Sequence, residues 1–211
     1  MSAVMTNPPK AARFWNRIAK KYARDPVANQ AAYEYKLDQT ARILKPDMRV
    51  FEFGCGTGTT SLIHADRVAS IDAIDFSEAM INIAKEKAEK QGTENVHFHV
   101  ASIEDWDKDG YDVVMAHSVL HLVADLDGTL AKVRKLLKPG GMFVSSTVCL
   151  SDMGAFWPMI LPIPSALGLI PKVRPLNGEN LAARIESHGF KIETFWRPDE
   201  KSSVFLIAKA V

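Results

Sequence analysis

A glycine-rich turn separates a strand-like run from a helix-like run in the sequence RVFEFGCGTGTTSLI, residues 49–63. The first part is rich in β-branched and aromatic residues, and glycines follow at once at positions 54, 56 and 58. Glycine accepts positive φ and leaves backbone N–H groups open to a close ligand. A strand, a tight glycine turn and a helix are typical of the ligand-binding edge of an open α/β sheet. The sequence therefore predicts an α/β fold that binds its ligand at this turn.

Strand-like and helix-like periodicity alternate along the whole chain. Strand-like runs cover residues 49–55, 70–75, 96–102, 111–117, 141–147, 190–196 and 203–210. Helix-like runs cover residues 10–24, 28–44, 59–66, 78–91, 126–137 and 178–188. The alternation predicts a mostly parallel sheet with helices on both faces. Only about six residues separate the last two strands, too few for a parallel crossover, so these strands are predicted to pair antiparallel.

Residues that start or stop helices mark several of these boundaries. Ser77 is predicted to cap the helix over 78–91, and Gly92 is predicted to end it. The sequence Lys138-Pro139-Gly140-Gly141 is predicted to stop the helix over 126–137. The expected organisation is one domain over 1–211, made of an N-terminal helical cap (1–45), a ligand-binding core (46–148), an apolar segment (149–176) and a C-terminal helix with an antiparallel strand pair (177–211).

The composition is that of an ordinary globular protein and disfavours several classes. The chain has 211 residues, of which 47% are hydrophobic and 24% are charged. Lys and Arg number 26 against 25 Asp and Glu, and the net charge of +1 does not favour nucleic acid as a partner. The two cysteines, Cys55 and Cys149, are too few for a disulfide framework or a four-cysteine zinc site. The first residues contain no signal-like apolar run, so a reduced, cytoplasmic location is expected.

The stretch from Met153 to Pro171 contains 19 consecutive uncharged residues, which is long enough to raise the question of a membrane span. It also contains four prolines. Each proline costs about 3 kcal/mol in a helix interior, and lipid offers no water for the carbonyl groups that proline frees. The stretch is therefore predicted to be a broken apolar lid over a cavity, formed by Phe156, Trp157, Met159, Ile160, Leu161, Leu167, Leu169 and Ile170. A cover for a sheet edge or for a dimer interface is the alternative.

An acidic residue ends the strand-like run that follows the glycine turn. Asp75 lies 21 residues beyond Gly54, where a carboxylate can accept hydrogen bonds from both hydroxyls of a ribose. The turn and the carboxylate together predict an adenosine-containing ligand at the carboxyl ends of the strands. A dinucleotide fingerprint would require glycine at position 59, but Thr59 stands there. A nicotinamide-dependent oxidoreductase is therefore disfavoured.

Five blocks occur in the order and at the intervals of a known family: FEFGCGTG, IDAIDFSEAM, ASIEDW, YDVVMAHSVLHLV and LLKPGGMFV. Together they resemble the class I S-adenosylmethionine-dependent methyltransferases, in the small-molecule branch that includes ubiquinone-biosynthesis-like enzymes. The resemblance implies a Rossmann-like, seven-stranded, mostly parallel sheet with an antiparallel last strand and an N-terminal helical cap. It also implies S-adenosylmethionine as the cofactor and S-adenosylhomocysteine as the product, and no metal is expected.

The resemblance also implies roles for individual residues. The loop over 54–58 is expected to wrap the methionine part of the cofactor, with Glu52 organising its amino group. Asp75 is expected to hold the ribose and Phe76 to pack on the adenine, while Glu104 replaces the commoner aspartate near the adenine. The full cofactor-binding set that the resemblance implies is Glu52, Phe53, Gly54, Cys55, Gly56, Gly58, Asp75, Phe76, Ser102, Ile103, Glu104, His117, Tyr22 and Lys36.

Catalysis needs few residues if this resemblance holds. Tyr22 and Lys36 resemble positions that close over the cofactor carboxylate, and His117 is expected to approach the sulfonium. Methyl transfer from a sulfonium depends mainly on alignment, which is worth about 7–11 kcal/mol, and a base is needed only where the acceptor must lose a proton. His117 and His121, four residues apart just beyond the fourth strand, are the candidate catalytic bases. A packed, structural role beneath the apolar segment is the alternative for His121.

The predicted function is methyl transfer to a small, apolar or aromatic metabolite, with no nucleic acid as partner and a monomeric or homodimeric state. Two alternatives stay open: methylation of a quinone or lipid at the membrane surface, and a non-catalytic domain that binds S-adenosylmethionine or a partner. The basic face of residues 10–24 suits peripheral contact with an anionic membrane, although a solvated helix face is the simpler interpretation. His97 and His99 share one strand face, as a metal pair would, but the sequence offers no third ligand, so a packed role is favoured.

Overall fold

The computed structural model describes residues 10–152 and 173–211. Its strands are β1 (Arg49–Phe53), β2 (Ser70–Asp75), β3 (Val96–Val100), β4 (Tyr111–His117), β5 (Leu137–Thr147), β6 (Phe190–Trp196) and β7 (Val204–Ala210). Its helices are α1 (Lys10–Tyr22), α2 (Gln30–Ile43), α3 (Thr59–His64), α4 (Glu78–Gln91), α5 (Leu126–Leu136) and α6 (Gly178–Ser187), and a short 3₁₀ turn follows α3. With one exception, these bounds lie within two residues of those that the periodicity predicts.

The seven described strands form one sheet in the order β3-β2-β1-β4-β5-β7-β6. β1 pairs in parallel with β2 and β4, and the parallel pairing continues from β2 to β3 and from β4 to β5. β7 lies between β5 and β6 and runs antiparallel to both. The predicted fold class is therefore confirmed. The strand order reverses at β1, and in open α/β sheets ligands bind in the crevice at such a reversal.

The sheet separates two hydrophobic cores, because successive side chains of a strand point to opposite faces. In β1, Phe51 belongs to one core and Val50 belongs to the other. α5 and α6 cover the first core through residues such as Leu130 and Ile185. α4 covers the second core through residues such as Ile81. The prediction of helices on both faces is confirmed, and burial on both sides explains why the central strands are almost wholly apolar.

The predicted boundaries of α4 are also confirmed. The Ser77 side chain accepts a hydrogen bond from the backbone N–H of Met80 at 3.3 Å, which satisfies one of the free donors of the first turn. At the other end, Gly92 adopts φ 65° and donates its N–H to carbonyl groups of the last turn. This left-handed backbone conformation favours glycine, because a side chain with a Cβ would strain the backbone there. The start of α4 is thereby fixed beside the end of β2.

The exception concerns residues 138–140, which the sequence predicts to lie in a turn between the helix and the strand. β5 begins at Leu137, four residues before the predicted start at 141. The register explains the difference: Tyr111 pairs with Leu137, but Val113 pairs with Met142, so the intervening residues bulge out of the ladder. Leu137 is buried in the core, and its burial anchors the pairing before the turn. The helix nevertheless stops at Leu136, as the turn residues predict.

Some predictions fall outside what the structure describes. The predicted apolar lid over 153–171 lies outside the described ranges, and the division of the chain into four parts stays a prediction. Within residues 10–152 and 173–211, no helix is both long enough and apolar enough to cross a bilayer.

Candidate functional site

The glycine turn after β1 has a backbone shape that side chains rarely allow. Gly54, Gly56 and Gly58 have φ values of 65°, 54° and 73°. A Cβ at Gly58 would stand 2.6 Å from Cζ of Phe98, whereas a Cβ at Gly56 would have its nearest neighbour, on Tyr22, at 3.8 Å. Gly58 is therefore required for packing beneath the loop. Gly56 leaves its backbone open on the other side.

Asp75 ends β2 and ties the glycine turn to the start of α4. Its Oδ2 accepts a hydrogen bond from the N–H of Gly56 at 3.1 Å, and its Oδ1 accepts one from the N–H of Ser77 at 2.8 Å. Burial raises the pKa of the Asp75 carboxyl, and these two hydrogen bonds oppose the rise. A carboxylate offers about four acceptor positions. Asp75 therefore keeps acceptor capacity for the hydroxyl groups of a ligand.

Glu52 lies in β1 next to the turn and has only 1% of its surface exposed. It accepts a hydrogen bond from the hydroxyl of Ser61 in α3, a partner that the sequence did not reveal. Burial raises the pKa of Glu52 to about 7, and the nearby Asp75 carboxylate adds to the rise. An opposite charge close to a buried carboxyl favours its ionised form. The position therefore suits the amino group of a ligand.

Two neighbouring cavities open at the carboxyl ends of the strands. The first, the β2-side cavity, lies at the ends of β1, β2 and β4 and has a volume of about 140 Å³. The predicted residues that line it are Tyr22, Phe53, Gly54, Gly56, Asp75, Phe76, Ser102, Ile103, Glu104 and His117. Four lining residues that the sequence did not predict, Trp15, Val119, Leu122 and Val123, add to an apolar wall. A narrow, apolar cavity with a carboxylate at its edge suits a flat heterocycle joined to a sugar.

The residues after β3 differ in exposure. Ile103 is buried and Glu104 is exposed, although both line the β2-side cavity. Ser102 donates its hydroxyl to Oδ2 of Asp105 at 2.9 Å. Ile103 therefore contributes apolar contact, and the Glu104 carboxylate stands at the solvent edge.

The N-terminal helix α1 forms one wall of this cavity. Oδ1 of Asn16 accepts hydrogen bonds from the Ser77 hydroxyl at 2.7 Å and from the N–H of Ala79 at 3.1 Å, which fastens α1 to the start of α4. Trp15 and Tyr22 contact each other edge to face, with ring centroids 6.0 Å apart. Tyr22 was predicted from the sequence, but Asn16 was not. The residues around a polar helix position do not indicate which distant groups it will bind.

The end of β4 carries His117 and a strained residue. Burial, with contributions from His64 and Lys36, lowers the pKa of His117 to about 3, so its imidazole is neutral at physiological pH. Its Nε2 is buried without a hydrogen-bond partner among the described residues. Ser118 has φ 55° and is the one non-glycine residue of the described chain with positive φ. Strain of this kind clusters at functional sites, and both residues line both cavities.

The second cavity, the β5-side cavity, is wider, with a volume of about 830 Å³. Lys36 of α2 lines it, and its Nζ donates hydrogen bonds to Oγ of Ser146 at 2.9 Å and to Oγ of Ser203 at 2.7 Å. Burial lowers the pKa of the Lys36 ammonium. Glu52 and Cys55 of the predicted set line this cavity too. The two serines were not foreseen.

Two predicted residues line neither cavity. Gly58 lies behind the loop, where it packs against Phe98. His121 follows β4, and its carbonyl group accepts a hydrogen bond from the N–H of Arg174 at 2.7 Å. Burial lowers the pKa of His121 to about 4, and its Nδ1 has no hydrogen-bond partner among the described residues. The structure therefore brings His117, but not His121, to the cavity walls.

The two histidines of β3 differ in exposure and in partners. His97 is exposed, whereas Nε2 of His99 lies 3.5 Å from Oδ1 of Asp72. Oδ2 of the same carboxylate accepts a hydrogen bond from the Tyr111 hydroxyl at 2.8 Å. No group of three or more residues able to hold a metal ion occurs in the described parts of the chain. The sequence did not reveal Asp72 as the neighbour of His99.

The sheet order, the glycine turn and the acidic residue at the end of β2 define a Rossmann-like fold with a nucleoside-type site. The chain belongs to the methyltransferase domain family, whose model matches residues 44–187, and within it to the S-adenosylmethionine-dependent class. The predicted resemblance is thereby confirmed.

The relatives that the chain matches are named for different reactions. The chain is similar to a ubiquinone biosynthesis O-methyltransferase of Cereibacter sphaeroides, with 30% identity over 71% of this chain and 67% of the relative. It also resembles part of the highly reducing polyketide synthase NEC1 of Pyricularia oryzae, with 34% identity over 62% of this chain but only 5% of the synthase. The chain spans half the length or less of several curated relatives that it matches.

Among solved structures, the cyclase SpnF has a TM-score of 0.76, 17% identity and coverage of 100% of this chain and 99% of its own. At this identity the similarity shows a common fold and nothing more. The neighbour that has this fold is described as a cyclase. The activity of this chain must therefore be argued from its own residues.

Proposed function

We propose that the chain binds S-adenosylmethionine and transfers its methyl group to a small, apolar or aromatic acceptor. The continuity of the two cavities carries this proposal. Five residues line both of them: Tyr22, Gly54, Gly56, His117 and Ser118. A nucleoside held in the β2-side cavity would extend along the glycine turn towards the β5-side cavity, where an acceptor has room. Membership of the family supports the reaction class.

The residues present fit the cofactor at three points. Asp75 has acceptor capacity for the ribose hydroxyls at the edge of the β2-side cavity. Phe76 and Ile103 supply apolar contact for the adenine. Glu52, whose burial raises its pKa to about 7, gains a stable charge when an ammonium group lies beside it. Tyr22 of α1 would close over the methionine part.

The cofactor, when bound, supplies a methyl group on an already activated sulfur leaving group. In the transfer, a lone pair of the acceptor forms the new bond to the methyl carbon, the carbon–sulfur bond breaks, and its electron pair stays on sulfur, which gives S-adenosylhomocysteine. The chain's own contribution is to hold the acceptor in line and to exclude water, and alignment of this kind is worth about 7–11 kcal/mol. A protein base is needed only for an acceptor that must lose a proton.

For such an acceptor we propose His117 as the proton-accepting residue, with His121 as the second candidate. His117 is neutral at physiological pH and lines both cavities, whereas His121 lines neither. A base whose pKa is about 3 takes a proton only from an acidic group or from an acceptor that becomes acidic during the transfer.

The walls of the β5-side cavity support the apolar character of the acceptor. Its apolar members are Ala23, Pro26, Val27, Ala28, Ala32, Leu37, Val148 and Pro198, and they stand among polar and charged residues such as Asp25, Lys36 and Lys201. Pockets with a mainly apolar wall and a few polar groups are typical of small-molecule sites. An acceptor with a hydrophobic or aromatic body would bury its surface here.

The decisive experiment combines binding and turnover. S-adenosylhomocysteine is titrated into the purified chain by calorimetry, and metabolite extracts are then incubated with the chain and labelled S-adenosylmethionine. We expect micromolar or tighter binding and one labelled product, identified by mass. Binding without any labelled product from any extract would favour the non-catalytic alternative. Failure of S-adenosylhomocysteine to bind the folded chain would overturn the proposal.

The membrane-surface alternative has one observation in its favour. The exposed residues of α1 and the following turn include five cations: Arg13, Arg17, Lys20, Lys21 and Arg24. Lys21 is paired with Asp25 at 2.5 Å, which removes part of the positive field. Flotation with anionic vesicles at low salt separates the two hypotheses, because a cationic helix face that serves a membrane binds them and releases them at high salt.

A further inference from the structure

Lys36 is a half-buried cation at the far end of the β5-side cavity. It projects from α2 and donates hydrogen bonds to Oγ of Ser146, near the end of β5, and to Oγ of Ser203, just before β7. These are neutral partners, separated from Lys36 by 110 and 167 residues in sequence. The ammonium thus stands where three distant parts of the chain meet.

None of the ion pairs among the described residues includes this ammonium, although Asp25 and Glu52 line the same cavity. Burial lowers the pKa of Lys36. The residues outside the described ranges, 1–9 and 153–172, contain no Asp or Glu. By contrast, Lys108 and Lys138 pair with Asp72 and Asp112 at 3.2 and 2.6 Å. A buried cation is normally paired, so an anionic ligand in the cavity would supply the partner that Lys36 lacks among the described residues.

The three groups form a donor set for one anion. An ammonium has three N–H donors, and two of those of Lys36 point to the serines. Each serine accepts from Nζ and retains its own O–H as a donor. One N–H and two O–H groups are therefore left for an anion in the cavity. Charge-assisted hydrogen bonds from an ammonium, supported by two hydroxyls, match the acceptor oxygens of a carboxylate.

The sheet order indicates which carboxylate this is. The cofactor elements lie at the ends of β1 and β2, whereas Lys36 is held over β5 and β7, and the order is β2-β1-β4-β5-β7. Neighbouring strands are about 4.8 Å apart, so β5 lies about 10 Å from β1 across the sheet. Glu52 and Cys55 line the same cavity as Lys36, but the cation is held on its β5 and β7 side, away from the strand that carries Glu52.

We propose that Lys36, with Ser146 and Ser203, binds a carboxylate of the acceptor, so that the substrate of this chain is an apolar organic acid. This inference rests on the proposed function and gives Lys36 a different role from the one that the family resemblance implies. Lys36 selects the substrate and orients it by its acid group, and the apolar wall of the β5-side cavity holds the rest of the molecule.

The test uses the intact chain saturated with S-adenosylhomocysteine, which cannot donate a methyl group. Three matched probe pairs are titrated by calorimetry and by chemical-shift perturbation: benzoate and benzamide, phenylacetate and phenylacetamide, hexanoate and hexanamide. We expect at least one acid to bind at least tenfold more tightly than its amide. We expect Lys36→Met to remove that preference and leave S-adenosylhomocysteine affinity within twofold of wild type.

Lys87→Met is the matched control. The Nζ of Lys87 also donates to two hydroxyls, of Thr57 at 3.0 Å and of Thr59 at 2.9 Å, and burial also lowers its pKa. Lys87 lines neither cavity. We therefore expect Lys87→Met to keep the acid preference. A milder variant, Ser203→Ala, is expected to reduce acid affinity about threefold and covers the case in which Lys36→Met does not fold.

Each outcome decides the matter. Equal binding of acid and amide by the wild-type chain overturns the proposal, and so does an acid preference that survives Lys36→Met. A tenfold loss of S-adenosylhomocysteine affinity in Lys36→Met, with acid binding unchanged, would assign the ammonium to the cofactor carboxylate instead. Failure of the proposed function itself is recognised separately, because the wild-type chain would then not bind S-adenosylhomocysteine at all.

Discussion

The two cavities at the carboxyl ends of the strands are built in different ways. The β2-side cavity is shaped by backbone: a turn with three positive φ values, the end of a strand and the capped start of a helix. The β5-side cavity is shaped by side chains, and its polar centre joins Lys36, Ser146 and Ser203 across 110 and 167 residues of sequence. The form of the first region is therefore set mainly by local sequence, and that of the second depends on tertiary packing.

The difference also separates what each region does. Fixed backbone geometry suits a ligand that is common to a whole family, because the N–H and carboxylate positions do not depend on neighbouring side chains. A wall of exchangeable side chains suits a ligand that differs between relatives. Under the proposed function, the β2-side region would hold the cofactor shared by the family and the β5-side region would hold the acceptor particular to this chain.

The first prediction has the largest expected effect. It tests whether close packing fixes the backbone of the β2-side region, as this comparison requires. Gly58→Ala places a Cβ 2.6 Å from Phe98 at φ 73°. Backbone strain and overpacking should together lower the free energy of unfolding by about 2–5 kcal/mol. Gly92→Ala is the control, because φ is 65° there but nothing lies within 4 Å of the new Cβ. We expect it to cost about 1–2 kcal/mol in urea denaturation, and equal costs would show that the loop is not tightly packed.

A second prediction concerns Glu52, which lies where the two regions meet. Burial raises its pKa to about 7 from the ordinary value of 4.5, so between these pH values the folded chain binds more protons than the unfolded chain. Stability therefore falls as the pH rises through this window. From pH 5 to pH 8, this group should lower the free energy of unfolding by about 2–3 kcal/mol.

Urea denaturation of wild type and Glu52→Gln at both pH values measures this contribution. The wild-type chain should lose about 2–3 kcal/mol more than the variant between pH 5 and pH 8. Glu89→Gln, a change at an exposed residue of α4, is the control and should follow wild type. Parallel pH profiles of wild type and Glu52→Gln would mean that Glu52 is ionised in the folded chain at pH 5.

The sequence predicted most of the β2-side region for a physical reason. Strand periodicity, positive-φ glycines and helix caps are local properties, so the ends of β1 and β2, the turn and the cap at Ser77 could be located from the chain alone. The same holds for Asp75, because the carboxyl ends of parallel neighbouring strands meet at one edge of the sheet. The bulge before Met142 was missed, since its register depends on the pairing partner in β4.

Most of the β5-side region could not be predicted in this way. Lys36 was named from a resemblance, but nothing local indicates that it meets Ser146 and Ser203. The partners of other polar groups could not be predicted for the same reason. Examples are Ser61 beside Glu52 and Asp72 beside His99. A hydroxyl on a strand has the same local pattern whether it faces solvent, a cavity or a distant lysine.

A third prediction concerns the cofactor half directly. Asp75→Ala removes the proposed acceptor for the ribose hydroxyls and should weaken S-adenosylhomocysteine binding by about 1.5–3 kcal/mol, or about 10–150-fold, as measured by calorimetry. Asp66→Ala, at an exposed residue just after α3, is the control and should bind like wild type. Wild-type affinity in a folded Asp75→Ala variant would refute the ribose assignment. Unchanged acid binding by this variant would sharpen the division between the two regions.

The smallest expected effect tests the one wall of the β2-side cavity that side chains hold in place. Asn16→Ala removes the acceptor that fastens α1 to Ser77 and Ala79, so α1 should open more often and take Trp15 and Tyr22 with it. We expect S-adenosylhomocysteine affinity to fall by about 0.5–1.5 kcal/mol, or about 2–10-fold, with faster amide hydrogen exchange confined to α1. Arg13→Ala, on the exposed side of the same helix, should change neither. If Asn16→Ala binds like wild type while α1 exchanges faster, the helix is a cover that the cofactor does not need, and the general half of the site is backbone alone.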